Sequence, residues 1–276
     1  MIFVKDVITA RKNPTVVRIA SLQSKKGRDE NSAFMAEGVK LFREAVRSDL
    51  PIECVLVNED KKDVIYPIIQ EELQDEKYSL TKIYTLSDSC FGKISTEKSP
   101  QGVIVIIKHL DFFKSCNKII EENIINKDKK SIMLSSMRDP GNLGSVIRSA
   151  VAFGAERIII SDDCADVYNP KTIRAAMGSL FKVEILISQN LVDTVALLQR
   201  AGKRVFAAEL RDNAVSLDDM ELLPSDVVVI GNEGHGIPEE LSQACDGSVY
   251  IPISPLAESL NASVAAAIFM REQRII

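Results

Sequence analysis

Short apolar runs alternate with amphipathic stretches along the second half of the chain. Runs rich in Val and Ile predict buried strands, whereas apolar residues recurring every three or four positions predict helices. The predicted strands are 131–134, 157–161, 182–187, 204–209, 227–230 and 248–251. The predicted helices are 143–153, 169–176, 191–201, a short helix after Pro238, and 259–273. Such alternation indicates a mostly parallel sheet covered by helices on both faces.

The amino-terminal part predicts a smaller α/β unit. Its predicted strands are 33–38, 52–58, 82–86 and 103–107, and its predicted helices are 13–22, 39–47 and 64–76. Residues 25–28 form a basic turn in this interpretation, and the polar stretch 111–130 predicts a linker with one short amphipathic helix. We therefore expect a domain over 1–108, a linker over 109–130 and a second domain over 131–276.

Three segments punctuated by Gly and Asn follow predicted strands of the second domain. They are residues 139–148, 228–237 and 251–264. Ligands of open parallel sheets bind beyond the carboxyl ends of the strands. We therefore expect these distant stretches to build one site.

The first segment carries Asn142 in a predicted loop and Arg148 about one and a half turns into the following helix. A glycine-bearing loop before a helix can bind an anion, although the spacing of Gly141 and Gly144 alone favours ordinary turn glycines. Arg148 lies among apolar residues, and an unpaired buried charge is costly. It is expected either to pair with a structural carboxylate or to hold a substrate phosphate.

The second segment places Gly231, Gly234 and Gly236 around a single acid, Glu233. So many glycines after a strand indicate close backbone approach or positive φ angles. His235 has no metal-ligand partner at useful spacing, so it is interpreted as a loop residue.

The third segment contains two prolines and then Ser259 and Asn261 before a helix of small and apolar residues. Ser and Asn are good helix caps, which explains both without any further role. The helix is expected to be buried, either in the core or against a partner subunit.

Composition supports a soluble protein and limits the chemistry. The chain has 276 residues, 46% of them hydrophobic, and its apolar runs are too short to span a bilayer. Its five cysteines are widely spread without a Cys-x-x-Cys pair, which argues against a disulfide framework and a zinc site and favours a reducing cytoplasm. No signal peptide is expected from the first residues.

Charge is unevenly distributed along the chain. The net charge is −5, which by itself argues against a nucleic-acid partner. Residues 1–28 nevertheless contain seven basic residues and only one acidic residue. Such a stretch suits phosphate binding, but a solvated amino terminus explains it almost equally well.

Taken together, the three segments resemble the motifs of the SpoU (TrmH-type) family of RNA ribose 2′-O-methyltransferases, within the SPOUT superfamily. Residues 171–181 resemble an intermediate stretch of that family, with Ala176 in place of a common Ser. Residues 28–38 and 100–102 resemble the substrate-binding domain often fused to these enzymes.

The resemblance implies an α/β domain with a parallel sheet and a deep trefoil knot that holds S-adenosylmethionine. Its fused partner would be a smaller amino-terminal α/β domain similar to ribosomal-protein-like RNA-binding modules. By matching position, the cofactor-binding residues would be Gly231, Asn232, Gly234, Ile251 and Leu260. The family is dimeric, so the resemblance also implies a homodimer whose active site draws on both subunits.

The implied reaction is methyl transfer to a ribose 2′-hydroxyl, a group that DNA lacks. Arg148 would be a catalytic clamp on a neighbouring phosphate rather than a base, because a guanidinium stays protonated. The other implied catalytic residues are Asn142, Glu233, Ser259 and Asn261. The expected RNA-binding residues are Arg11, Arg18, Lys25, Lys26 and Arg28.

Large-subunit ribosomal RNA is the expected substrate, with transfer RNA as the alternative. Two other classes stay open: a non-catalytic RNA-binding protein on the same fold, and a Rossmann-type nucleotide enzyme using Asp162 or Asp163 after a strand. No metal, membrane or DNA partner is expected.

Overall fold

The computed structural model describes residues 1–110, 113–115 and 129–273. The chain forms two compact units. The first comprises Met1–Leu110 and Asp166–Phe181, and the second comprises Asp111–Ala165 and Lys182–Ile276. Within the described ranges, no helix has the length and apolar character needed to cross a bilayer.

The first unit is built on a mixed five-stranded sheet. Its strands are β1 (Ile2–Phe3), β2 (Ala33–Glu37), β3 (Ile52–Asn58), β4 (Lys82–Leu86) and β5 (Val103–Lys108). They lie in the order β1-β4-β3-β5-β2, and only β5 runs antiparallel to its neighbours. The helices are α1 (Pro14–Ser21), α2 (Lys25–Asn31), α3 (Val39–Arg47), α4 (Lys62–Glu72) and α5 (Asp88–Ile94).

Local capping explains both a success and an error of the sequence analysis in this unit. The Asn13 side chain accepts from the Thr15 N–H at 2.9 Å and Pro14 opens α1, as predicted. The predicted basic turn at 25–28 is wrong, because Ser24 accepts from the Gly27 N–H at 3.1 Å and starts α2. Helix α5 and strand β1 were not predicted.

Residues 166–181 pack with the amino-terminal unit, although they lie in the middle of the predicted second domain. This segment contains α7 (Pro170–Ala176). The Phe34 ring of β2 stacks on Tyr168 with ring centroids 4.5 Å apart. The Tyr168 hydroxyl accepts from the Leu110 N–H at 2.7 Å. The sequence analysis divided the chain into contiguous domains, and such a division cannot include contacts between residues so far apart in sequence.

The second unit contains an eight-stranded sheet whose neighbouring strands are all parallel, as predicted. Its strands are β6 (Phe113–Ser115), β7 (Ser131–Leu134), β8 (Arg157–Ser161), β9 (Glu184–Ser188), β10 (Val205–Ala208), β11 (Val215–Ser216), β12 (Val227–Ile230) and β13 (Gly247–Tyr250). They lie in the order β11-β13-β10-β12-β7-β8-β9-β6. The helices are α6 (Pro140–Ala152), α8 (Leu191–Arg200), α9 (Glu239–Ala244) and α10 (Ala262–Glu272).

The buried faces of this sheet explain its continuous apolar strands. Met133, Ile159, Leu186 and Val229 are fully buried in one core cluster. Strands covered on both faces read as unbroken apolar runs, which is the pattern of the sequence. The trefoil knot stays a prediction.

Two boundaries differ from the predictions in this unit. Asp139 caps α6 by accepting from the Asn142 N–H at 2.8 Å, and Pro140 occupies the first helical position. Asn142 therefore lies in the first turn of a helix rather than in a loop. Residues 113–115 of the predicted linker form β6 and pair with β9, and the predicted linker helix otherwise lies outside the described residues.

Strand β7 is a topological switch point of the sheet, where the order of the strands changes direction. It lies between β8, which follows it in sequence, and β12, which comes much later. Leu134 and Ile230, the last residues of β7 and β12, are paired. A crevice outside the carboxyl ends of strands at such a point is the usual ligand site of an open α/β sheet.

Candidate active site

The three Gly/Asn segments converge at the carboxyl ends of β7, β12 and β13. Asn142, in the first turn of α6, donates through Nδ2 to the Glu233 carboxylate, which follows β12. Asn261, just before α10, donates through Nδ2 to Asn142 Oδ1 at 3.1 Å. Residues from three distant stretches therefore form one hydrogen-bonded network, as the strand-end argument predicted.

The orientation of this network is fixed by a helix cap. Asn261 Oδ1 accepts from the Ser263 N–H at 2.9 Å and from the Val264 N–H at 3.3 Å, so it caps α10. Its amide nitrogen must then face Asn142, whose own amide nitrogen faces Glu233. The capping interpretation of Asn261 is correct, and the same side chain also belongs to the polar network.

The loop after β12 is held by its own backbone. Asn232 and Gly236 exchange two backbone hydrogen bonds of 3.0 and 2.9 Å, which closes a tight turn. A Cβ added to Gly231 would lie 2.4 Å from the Gly236 carbonyl carbon, and Gly236 has a φ of +67°. The predicted need for glycine here is thus met by close approach within the loop and by a left-handed backbone.

Beside the network lies a cavity of about 300 Å³ formed by the strand ends and α10. Four of the residues predicted to bind cofactor line it: Gly231, Asn232, Ile251 and Leu260. Glu233 and Ser259 also line this cavity, whereas Gly234 is not among its lining residues. The volume is at the lower end of the range for small-molecule sites, about 300–1,000 Å³.

Sequence reasoning missed part of the cavity wall. Ala208, Glu209 and Leu210 at the end of β10, and Ala265 and Phe269 of α10, line the cavity as well. The end of β10 was detectable in principle, because the sequence predicted a strand over 204–209 in the same sheet and ligands bind at strand ends. The inward face of α10 depends on how the helix is rotated, which the sequence does not specify.

Arg148 lies away from this cavity in its own chain. Its side chain is exposed and is not part of the cavity lining. Six helical positions separate it from Asn142, which places it about 120° around the axis of α6 from that residue. Arg148 is therefore exposed rather than buried among the apolar residues of its helix, so burial does not force it to pair with a structural carboxylate. The alternative that it holds a substrate phosphate stays a prediction.

The expected RNA-binding role of Arg28 is also wrong. Its side chain is 2% exposed and forms an ion pair with Asp166. Its Nη1 donates to the carbonyls of Leu22 and Gln23 at 2.8 and 3.0 Å. Every one of these contacts lies inside the first unit, so the guanidinium is part of the core rather than of an RNA-binding surface.

The other expected RNA-binding residues lie at the surface. Arg11 is exposed, and Arg18 pairs with Glu53. Lys25 and Lys26 form pairs with acids one helical turn ahead, at 3.4 and 3.8 Å. Exposed pairs of this kind contribute little, so they leave these basic groups available to a phosphate.

A second cleft of about 400 Å³ adjoins the first cavity. Ser136, Arg138, Asn232, His235, Gly236 and Pro238 line it. Asn232 and Gly236 line both spaces. His235 is exposed in its loop, as predicted, whereas Arg138 was not singled out from the sequence. The sequence feature that could have identified Arg138 is its position directly before Asp139 and Pro140, which begin α6.

Asp163 fixes Arg138 rather than binding a nucleotide. Burial opposes ionisation of its carboxyl, but hydrogen bonds from Ser161, Ser136 and Arg138 outweigh burial and lower its pKa. The corresponding distances are 2.6, 2.7 and 3.1 Å. Since Gly141 also lies inside α6, the Rossmann alternative lacks its glycine turn.

A larger cavity of about 650 Å³ on the second unit shares Ile251 with the 300 Å³ cavity. Its wall includes four carboxylates, those of Asp218, Asp219, Glu221 and Glu272. Because such a wall repels a phosphate chain, its size does not make it a candidate for binding nucleic acid.

Comparison with known proteins agrees with this geometry. A model described as the SpoU rRNA Methylase family matches residues 129–271, and one described as an MRM3-like substrate binding domain matches residues 13–105. The chain is 30% identical over 267 residues to the 23S rRNA (guanosine(2553)-2'-O)-methyltransferase RlmP of Bacillus subtilis, covering 97% of this chain and 98% of that protein.

Two further relatives bear on the second unit and on the whole fold. The 23S rRNA (uridine(2479)-2'-O)-methyltransferase of Streptomyces viridochromogenes is 32% identical over 152 residues, 54% of this chain and 53% of that protein. The crystal structure of an AdoMet-bound rRNA methyltransferase from Sinorhizobium meliloti superposes with a TM-score of 0.80 at 28% identity, covering 98% of this chain and 97% of that one. Each of these proteins is named as an rRNA methyltransferase.

Proposed function

Because its second half matches the family model, this chain belongs to the SpoU rRNA methylase family, and we propose that it methylates a ribose 2′-hydroxyl of large-subunit ribosomal RNA. The methyl donor is S-adenosylmethionine. The observation that carries the proposal is the Asn261–Asn142–Glu233 network at the rim of the 300 Å³ cavity. The full-length similarity to a 23S rRNA methyltransferase supports the choice of RNA.

The residues of the cavity fit the methyl donor. Apolar side chains such as Leu260 and Phe269 suit a flat base, and the carboxylate of Glu258 suits a ligand with cationic groups. Gly231 lies too close to the Gly236 backbone for a side chain, so none enters the cavity from that position. Gly231, Asn232, Ile251 and Leu260 would hold the cofactor, and Gly234 would act only through the loop backbone.

When bound, S-adenosylmethionine supplies a methyl group on a positively charged sulfur, already activated for in-line displacement. The chain must therefore align a ribose hydroxyl with that carbon and exclude competing geometries. We assign alignment of the ribose to Asn142, Glu233 and Asn261, together with Ser259 on the same rim. A network whose amides are fixed by a helix cap loses little freedom when substrate binds.

Arg148 serves in this proposal as a clamp on an RNA phosphate. A guanidinium cannot accept a proton, but its planar fork binds phosphate oxygens bidentately and stabilises developing negative charge. The proton of the 2′-hydroxyl then leaves to the phosphate or to water. Neither histidine is needed for this step.

We also propose that the chain acts as a homodimer in which Arg148 reaches the cavity of the partner subunit. The exposed position of Arg148, on a face of α6 turned away from its own network, supports this arrangement. Val264 of α10 and Leu256 of the preceding loop are apolar and 47% and 97% exposed, as suits residues that a second copy covers.

The cytoplasm is the proposed location. The cysteines within the described residues, Cys54, Cys90, Cys164 and Cys245, are free thiols. Ribosomal RNA and a reducing environment occur together there.

The decisive experiment measures methyl transfer to unmodified 23S rRNA with labelled S-adenosylmethionine, alongside total transfer RNA. We expect transfer to the ribosomal RNA. The variant Arg148→Ala should lose at least about 100-fold in turnover while cofactor affinity, measured by calorimetry, stays unchanged. Arg148→Lys should also fail if bidentate binding matters.

Arg200→Ala provides the matched control, because Arg200 is also exposed and also lies on a helix of the second unit. It should keep wild-type turnover. Full turnover of Arg148→Ala would refute its assigned role, and labelling of transfer RNA alone would refute the proposed substrate. Mapping 2′-O-methyl positions in ribosomal RNA with and without the gene identifies the nucleotide.

Co-expression of two inactive variants tests the shared site. Arg148→Ala removes the clamp, and Gly231→Ala places a Cβ against the Gly236 backbone and should block the cofactor loop. Random pairing of the two should restore about a quarter of wild-type turnover if each site uses residues of both subunits. No restoration in a mixture shown to contain heterodimers would contradict the shared site.

A further inference from the structure

The cleft lined by Ser136, Arg138, Asn232, His235, Gly236 and Pro238, here the Arg138 cleft, has no role in the preceding assignment. It shares Asn232 and Gly236 with the cofactor cavity. A group bound in it therefore lies on the other side of a single loop from the methyl donor. Part of a substrate is the natural occupant of such a position.

Arg138 is exposed but fixed in place. Its side chain is 72% exposed, and Nη2 donates to Asp163 Oδ2 at 3.1 Å. The carboxylate of Asp163 is itself held by the hydroxyls of Ser161 and Ser136. A guanidinium has five N–H groups, so one contact to Asp163 orients the fork and leaves the remaining donors for a ligand.

Ser136 gives the cleft a rigid wall. Its φ of +54° is in the left-handed region, which is unusual for a residue other than glycine. All of its polar groups are engaged: its N–H donates to Ser161 Oγ at 2.8 Å, its hydroxyl donates to Asp163, and its carbonyl accepts from Asn232 Nδ2 at 2.7 Å. Strained backbone held by so many bonds is found preferentially at functional sites.

The charge of the cleft selects the kind of ligand. Arg138 and His235 face it, and no carboxylate side chain of the described residues lines it. Exposed guanidinium and imidazole groups suit a phosphate. The acidic 650 Å³ cavity of the same unit shows the opposite character.

We propose that the Arg138 cleft binds a backbone phosphate of the substrate RNA, with Arg138 as its principal ligand and His235 as a second donor. The inference deepens the proposed function, on which it rests. It adds a phosphate contact in the same subunit as the cofactor cavity, and thereby fixes the register of the RNA strand on the reacting ribose.

The test compares Arg138→Gln with wild type, because Gln can still donate to Asp163 but carries no charge. Binding of unmodified 23S rRNA, transcribed in vitro, is measured by filter retention over a series of salt concentrations, and turnover is measured on the same RNA. We expect the RNA dissociation constant and KM to rise about tenfold. The slope of log K against log salt should fall by about one, with cofactor affinity unchanged.

Arg271→Gln provides the control, because Arg271 is 71% exposed and also forms an ion pair, with Glu272. It should leave RNA affinity and the salt slope unchanged. Arg138→Lys should recover part of the affinity, and His235→Gln should cost about threefold. Unchanged affinity and slope in Arg138→Gln, or an equal loss in Arg271→Gln, would overturn the assignment. Wild-type protein that binds the RNA but transfers no methyl group would refute the proposed function, while the binding comparison would still decide the cleft.

Discussion

At the scale of single residues, the environment of each arginine decides its role. Arg28 and Arg148 both belong to stretches that resemble family motifs, and both were expected to contact RNA. Arg28 is 2% exposed and paired with Asp166, whereas Arg148 is exposed. A buried guanidinium must satisfy its donors within the protein, because leaving them unpaired is costly. An exposed one keeps its donors for a ligand.

The burial of Arg28 leads to a stability prediction. Arg28→Met should destabilise the first unit by about 3–5 kcal/mol, because it leaves the Asp166 carboxylate without its partner in a largely buried place. Native-state hydrogen exchange of the amides of β2 and β5 measures the effect on this unit alone.

Lys25→Met is the control for this prediction. Lys25 lies on the same helix, and its 3.4 Å pair with Asp29 is exposed. Its loss should change stability by no more than about 0.5 kcal/mol. Equal effects of the two substitutions would show that the Arg28 pair contributes no more than a surface pair.

At the scale of elements, caps decide where the helices begin and what they present. Asp139 starts α6 three residues before the predicted position, and Asn261 starts α10 three residues after it. Both helices therefore place their first turns at the same crevice. The capping residues belong to the polar framework of the site as well as to the helices.

Two asparagine helix caps allow the effect of a substitution on stability to be distinguished from its effect on turnover. Asn261 accepts from Ser263 and Val264 N–H groups, and Asn190 accepts from Val192 and Asp193 N–H groups at 2.9 and 3.4 Å. Replacing either residue by Ala should cost about 1 kcal/mol of stability. Only Asn261→Ala should also lower turnover, because only Asn261 donates to Asn142.

Thermal unfolding and steady-state methyl transfer measure the two effects. We expect similar shifts in Tm for both variants and a fall in kcat of at least about tenfold for Asn261→Ala alone. A loss of kcat in Asn190→Ala of the same size would attribute the effect to general destabilisation, and the assigned role of Asn261 would be wrong.

At the scale of the whole molecule, residues 166–181 belong structurally to the amino-terminal unit although the family model assigns them to the methylase part. Arg28 pairs with Asp166, and Phe34 stacks on Tyr168. Arg174 of α7 also pairs with Glu97 and donates to the Thr96 hydroxyl at 3.0 Å. The segment is therefore expected to unfold with the first unit.

Hydrogen exchange at low denaturant tests this grouping. Amides of α7 should open with the same free energy as those of β2 and β5, and Arg28→Met should lower all three together. The amides of β7 and β12 should be unaffected. If α7 exchanged independently of β2 and β5, the segment would not be part of that cooperative unit.

Arg204→Met is the matched control for this grouping. Arg204 binds Asp226, which is 1% exposed, through bonds of 2.9 and 2.6 Å in the second unit. Its removal should lower the protection of β10 and β12 and leave α7 unchanged. A fall in α7 protection would instead place the segment with the second unit.

The local pattern of apolar and polar residues accounts for most of the elements and site features that were predicted from the sequence. The bounds of the strands in both sheets were predicted within a residue or two, apart from those of the very short β1, β6 and β11. The reason is that buried parallel strands have continuous apolar runs in their sequence. The site was located because its three segments follow strands of one sheet. The wall supplied by Phe269, the cleft around Arg138 and the burial of Arg28 were missed, because each depends on neighbours distant in sequence.

The sequence alone determined the elements, their parallel arrangement and the chemical character of the strand ends, since these follow from periodicity and from residue type. It also carried the motifs of the SpoU family. Only the tertiary structure decided which polar groups are in contact. Asn261 donates a hydrogen bond that orients Asn142, Arg28 forms a buried ion pair with Asp166, and Asp163 accepts a hydrogen bond that holds Arg138 in place. The physical reason is that a charged or amide side chain has no fixed role until burial and its partners determine which of its donors and acceptors remain available.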